Sequence, residues 1–191
     1  MPRKPDFDRD DVIDRARALF WRRGWAGTSL KDLEETLKIK PGSFYAAFGS
    51  KDALFALALD RYADDSLGNL RRLAAEHGPI GALQALPQQI VENDCTPAKA
   101  CMLSKTLLEL QGRDHRLATK ANDHLLAMEK EIAQLFDQAQ KAGDVGASHD
   151  PQHLARRYQS DLMGLRISAE RPGIDAAPIA KEIADGLEKL R

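Results

Sequence analysis

Residues 40–55, KPGSFYAAFGSKDALF, bring four aromatic rings and two lysines together in a chain whose 191 residues hold only eleven aromatics. Lysines, hydroxyls and the edges of small residues are what meet phosphates and bases, so contact with a polyanion is the first chemistry this stretch suggests. A second candidate is Cys101. Thr96 and Pro97 read as the cap and first residue of a helix, which would place Cys101 near its start, with Lys99 close by and Lys105 at i+4. The dipole and both lysines would favour thiolate. An ordinary packed thiol is the competing reading, and Cys95, beside Asn93 and Asp94, lacks the helix-start setting. His149 and His153 are spaced as two metal ligands would be, but no third lies near, so no metal is expected. Asp64-Asp65 and Glu34-Glu35 read as solvated helix faces. With no Gly-rich phosphate loop, Ser/His/Asp order or HExxH string, neither an enzyme nor a cofactor is expected.

Apolar residues recur at three- and four-residue intervals almost throughout, and no sustained alternation marks a strand; the expected class is all-α with about nine helices. The first, about 8–23, aligns Val12, Ile13, Ala16, Leu19 and Phe20. Ser29, with Asp32 three residues on, caps a short second helix carrying Leu30, Leu33 and Leu37. Pro41 opens a short third helix with Phe44, Ala47 and Phe48 inward. Gly49 ends it, and Ser50 caps a fourth helix running to about residue 75. Further helices are expected at about 79–93, 97–111, 115–142, 151–170 and 176–190, separated by Gly- and Pro-containing breaks.

The composition, 43% hydrophobic and 30% charged, is that of a chain that folds unaided. The net charge of −1 hides an asymmetry. Residues 1–51 carry 11 Lys/Arg against 8 Asp/Glu, and the remainder 17 against 21. A polyanion is therefore expected at the front. Eight of the eleven aromatics lie in the first 55 positions, where large rings would fill the core of a small lobe. Two cysteines make no disulfide framework, no leader opens the chain and no apolar run spans a bilayer, so a soluble protein of the reducing cytoplasm is expected. The expected division is a three-helix lobe, 1–50, and a larger helical domain, 51–191.

Two short helices joined by a three-residue turn and backed by a longer one are the parts of a helix-turn-helix. Gly27-Thr28-Ser29, the short helix after it and GSFYAAFGSKDALF resemble the DNA-binding segment of TetR-type transcriptional regulators, over roughly residues 8–56. The resemblance implies a homodimeric, ligand-responsive repressor that binds a palindromic double-stranded operator and is released by a small-molecule effector. It implies phosphate contacts at Thr28, Tyr45 and Lys51, and Ser29, the cap of the second helix, is expected among the DNA-binding residues beside them. It places Lys40, Gly42, Ser43 and Ala46 near bases or neighbouring phosphates. Lys38 stands where the family usually has Gly, and Lys40 where it often has a Ser or Thr cap. Ala46 and Ala47 replace a frequent His pair. Arg3 and Lys4 would form either a minor-groove arm or a solvated tail.

In the larger domain the resemblance implies a dimer through the last two helices. Leu154, Tyr158, Leu162 and Leu165 form one stripe there, and Ile179, Ile183, Leu187 and Leu190 another. Ala155, Gly164 and Gly186 would allow close approach. An effector pocket would be aliphatic and Met-lined, from Cys101, Met102, Met128, Tyr158 and Met163, although methionines at helical spacing also serve as core filler. KACMLSKTLLEL resembles the Gly-Cys-Leu-Leu segment of one branch of the family, in which some members sense electrophiles or oxidants. Ala100 replaces the Gly. The rivals are an all-helical thiol-dependent enzyme or redox protein using Cys101, and a helical interaction module.

Overall fold

The computed structural model describes residues 7–113 and 115–191; Arg3 and Lys4 lie outside the described residues. Among those residues the chain forms eight α-helices and one short 3-10 turn, and no strand. The helices are α1 (Arg9–Arg23), α2 (Leu30–Leu37), α3 (Pro41–Phe48), α4 (Lys51–Glu92), α5 (Met102–Leu110), α6 (Arg116–Ala142), α7 (Pro151–Glu170) and α8 (Ala177–Glu188). Among the described residues no helix is long and apolar enough to cross a membrane.

Two expected helices, 51–75 and 79–93, run on as α4, interrupted only at Gly78, whose φ of 73° and ψ of 174° are not helical. Pro79 disfavours helical backbone at the residue before it, and glycine accepts the alternative. The helix expected from residue 97 instead begins at Met102. Thr96 caps nothing there; its hydroxyl bonds Asn93 O. Residues 93–101 are held as a loop because the Lys99 ammonium takes Val91 O and Asn93 O at the end of α4. The Glu170 carboxylate accepts from the Lys99 and Ala100 amides.

The chain divides into two compact units, at boundaries different from the expected 1–50 and 51–191. The first unit is residues 1–64 with 102–124, so the three-helix lobe is completed by the start of α4, by α5 and by the first turns of α6. Its interior is built on Val12, Ala16, Phe20, Leu33, Leu37, Phe44, Leu54 and Phe55, all buried. Phe20 meets Phe55 at 4.5 Å between ring centroids, and Trp21 stands edge-on to Tyr62 at 4.8 Å. Rings thus carry the packing where few residues are available.

The second unit is residues 65–101 with 125–191. Its core joins Leu70, Leu83, Ile132, Phe136, Tyr158 and Leu165. Both stripes expected at a dimer interface pack into this core in whole or part: Tyr158, Leu162, Leu165 and Leu187 are buried, and Leu154, Ile179, Ile183 and Leu190 are partly so. Ala155 is fully buried as well. Among the residues that α7 leaves outward are Gly164, with nothing around the place of a Cβ, and Ile167, 54% exposed.

Candidate nucleic-acid interface

Helix α2 starts at a complete capping box: the Ser29 hydroxyl accepts from the Asp32 amide, and the Asp32 carboxylate accepts from the Ser29 amide. The Ser29 hydroxyl, which donates to the Asp32 carboxylate at 2.6 Å, the Ser29 amide and Arg23 at 2.7 Å together hold the Asp32 carboxyl down at about 2. The turn after α2 passes through Lys38 at φ 55°, ψ 39°, the sole described non-glycine with positive φ. Lys40 then occupies the cap position of α3 without a side-chain capping bond, and Pro41 follows at the first helical position. Both departures expected from the sequence are therefore real local costs, of roughly 1 kcal/mol each.

Helix α3 turns Phe44 and Phe48 into the core and leaves Gly42, Ser43, Tyr45 and Ala46 exposed, with Lys38 and Lys40 exposed before it. A Cβ on Gly42 would meet nothing within 4 Å, so the fold does not require glycine there. Tyr45 is 49% exposed, touching Phe44 edge-on. Arg9 donates to Ala47 O at 2.7 Å and lies over the Phe48 ring, so a residue of α1 caps the end of α3, which has no basic residue in its last turn.

Two residues expected at phosphates also make bonds within the protein. Thr28 is fully buried and donates its hydroxyl to Gly24 O at 2.8 Å. Its side chain is a brace inside the α1–α2 turn. Lys51 is half-buried: its ammonium donates to Trp25 O at 2.8 Å and Thr28 O at 2.9 Å, and stands 3.9 Å from the Trp25 ring centroid. Burial pushes its pKa down, opposed by Asp52 and Glu109. Two of its three protons thus hold the turn that leads to Ser29.

The same turn is met by side chains the sequence reading did not single out for it. Asp52 accepts from the Trp25 indole at 2.8 Å and pairs with His115 at 3.3 Å. Glu109 accepts from the Trp25 and Ala26 amides, and Lys105 donates to the carbonyls of Trp21 and Arg22. Glu109 is 84 positions from Trp25, so no local pattern announces it. The one available hint was the Gly24–Gly27 turn itself, whose amides need acceptors from elsewhere.

The residues proposed around an effector do not share one unit. Met102 is buried in the first; Cys101, Met128, Tyr158 and Met163 belong to the second. Tyr158 is buried and donates its hydroxyl to Leu83 O at 2.6 Å, and burial, with Asp161 nearby, drives its pKa upward. Cys101 is half-buried and Cys95 exposed; both are free thiols. The ammoniums expected beside Cys101 are engaged with carbonyls, Lys99 at the end of α4 and Lys105 at the end of α1. Among the described residues no group of three or more His, Cys, Asp or Glu could hold a metal. An open groove of about 620 Å³ in the second unit is lined by Gln88, Asp175, Ala177, Ala180, Lys181 and Ala184, none of them an expected pocket residue.

Residues 12–58 match the model of the bacterial regulatory proteins of the tetR family, and residues 80–171 that of the tetracyclin repressor-like C-terminal domain. The HTH-type transcriptional repressor ComR of Escherichia coli (strain K12) is 30% identical over 175 residues, 85% of this chain and 80% of its own. The uncharacterized HTH-type transcriptional regulator YezE of Bacillus subtilis (strain 168) is 29% identical, covering 89% of this chain and 90% of its own. A cysteine mutant of the TetR family transcriptional regulator CifR, solved with 26-bp double-strand operator DNA, superposes with a TM-score of 0.82 at 26% identity, covering 100% of both chains. A TetR family regulator from Cytophaga hutchinsonii has the same fold, with a TM-score of 0.82 at 22% identity, over 95% of this chain and 92% of that one.

Proposed function

Because the chain belongs to the TetR family of bacterial regulatory proteins, DNA-binding transcriptional regulators and not enzymes, we propose that α3 enters the major groove of a palindromic operator. The observation that carries this reading is the outward face of α3. Gly42, Ser43 and Ala46 are small at exposed positions where the protein's own packing does not demand it, Tyr45 projects beside them, and Lys38 and Lys40 flank the helix. Small residues let a helix approach base edges closely, while lysines and hydroxyls hold phosphates. Ser29 and the N-terminus of α2 add a second phosphate position. That CifR was solved with operator duplex supports the same use of the same fold.

The remaining parts of the reading follow from the family. The protein acts in the cytoplasm as a homodimeric repressor, its second copy contacting the last two helices through the outward side of α7, where Gly164 and Ile167 lie. Two-fold symmetry then presents two α3 helices to half-sites about 34–36 Å apart or a multiple of that. A small molecule bound in the C-terminal domain releases DNA by preferring the conformation that fits the operator poorly.

The test is selection of duplexes from a random library by the purified full-length protein, followed by anisotropy over a salt series. A palindromic consensus bound with steep salt dependence, and lost in a Tyr45→Ala, Lys40→Ala double variant, is expected. Recovery of no sequence preference would refute the operator reading. Light scattering tests the assembly: wild type at the dimer mass and Ile167→Arg at the monomer mass are expected.

A further inference from the structure

We infer that Glu109 and Lys105, one turn apart on α5 and outside the N-terminal family segment, are positioning residues for DNA binding. They act by fixing the α1–α2 turn. Glu109 accepts from two successive amides, Trp25 N at 3.0 Å and Ala26 N at 2.7 Å, in the manner of a bidentate clamp. Lys105 donates to Trp21 O at 2.7 Å and Arg22 O at 3.2 Å, which are among the last carbonyls of α1. Opposite charges on one helix thus grip both polarities of one turn.

The backbone is shaped around this grip. Gly24 has φ 76°, and a Cβ there would lie 2.8 Å from Glu109 Oε2. At Gly27 a Cβ would lie 2.3 Å from Arg23 O. The turn is therefore closed tightly enough that neither position accepts a side chain, and its amides are left facing a carboxylate. Three residues after Ala26 comes Ser29, the cap of α2. A turn that shifts moves Ser29 and the start of α2 with it, and these are the groups placed against phosphate in the reading above, on which the inference rests.

The consequence has a sign that separates it from simple electrostatics. Glu109→Gln removes a negative charge from the DNA-binding unit, and charge alone would strengthen attraction to a polyanion. Loss of positioning weakens it instead, because the amide presents one acceptor where the carboxylate presented two. Glu109→Asp keeps the charge but is too short to span both amides.

The experiment uses full-length protein and the duplex that wild type selects from a random library, with anisotropy across a salt series and the folded fraction followed by tryptophan fluorescence. Both variants are expected to bind more weakly than wild type, with a salt slope shallower by about 2, the loss of one phosphate contact in each protomer of the dimer. Unchanged or tighter binding by Glu109→Gln overturns the inference. So does weakening that tracks the folded fraction with the slope unchanged, or failure of both variants to fold, since each would make Glu109 a stability residue only. If wild type itself selects no duplex, the DNA-binding reading fails first, a result distinct from all of these.

Discussion

Replacing Lys38 by glycine should stabilise the first compact unit and weaken its grip on DNA. At φ 55° and ψ 39° an L-residue costs about 1–2 kcal/mol relative to right-handed backbone. Glycine removes that cost but gives the unfolded chain more freedom, worth about 0.5–1 kcal/mol. The balance favours Lys38→Gly by roughly 0.5–1 kcal/mol, or ~1–4 °C in a chain of this length. Trp21 and Trp25, the only two tryptophans, both lie in the first unit, so their fluorescence in a urea titration reports that unit. Lys38→Asn, which also tolerates left-handed backbone, should recover part of the gain, and Lys38→Ala none. All three variants remove the ammonium from both protomers of the dimer, and each should lower the salt slope of DNA binding by about 2 if it meets a phosphate. A urea midpoint that falls in Lys38→Gly would refute the strain argument. A slope unchanged in all three would refute the phosphate role.

The same urea assay checks three more expectations. Gly24→Ala, which demands a positive φ from alanine and drives a Cβ toward Glu109, should lower the stability by more than about 1 kcal/mol. Lys51→Met should destabilise by about 1–3 kcal/mol because two carbonyls lose their donor, whereas Tyr45→Phe should stay within about 0.5 kcal/mol of wild type and lose DNA affinity. Asp32 has its folded pKa depressed from 3.8 to about 2, so its contribution is present above 3.8 and lost as pH falls through about 2. The difference between wild type and Asp32→Asn should accordingly shrink over that range, and a difference independent of pH would contradict the capping geometry.

The parts of the molecule legible in the sequence were those specified locally. Ser29 with Asp32, Pro41 at the start of α3 and the apolar repeat of α1 each involve residues within a turn or two of one another, and all appear as read. The start of α5 was misplaced because Thr96-Pro97 has the form of a helix opening, while Lys99 and Glu170 bind the following backbone as loop. Thr28 and Lys51 occupy positions where the family resemblance implied phosphate contact, yet their polar atoms face the α1–α2 turn. Which way a hydroxyl or ammonium points depends on carbonyls brought near by tertiary packing, and spacing along the chain carries no record of that. Glu109 and His115 were invisible for the same reason.

The completion of the first unit by residues 102–124 bears on how portable this DNA reader is. A chimera that transplants residues 1–50 onto another regulatory body would carry α1, α2 and α3 but leave behind Lys51, Asp52, Lys105, Glu109 and His115, and with them the partners of Trp25 and of the end of α1. Such a graft would inherit the outward face of α3 without the scaffold that aims it. The compact unit that holds these partners together is discontinuous, residues 1–64 with 102–124. Recombination at a single crossover cannot exchange it, so a change of operator is more readily reached by substitutions on α3 than by swapping the lobe.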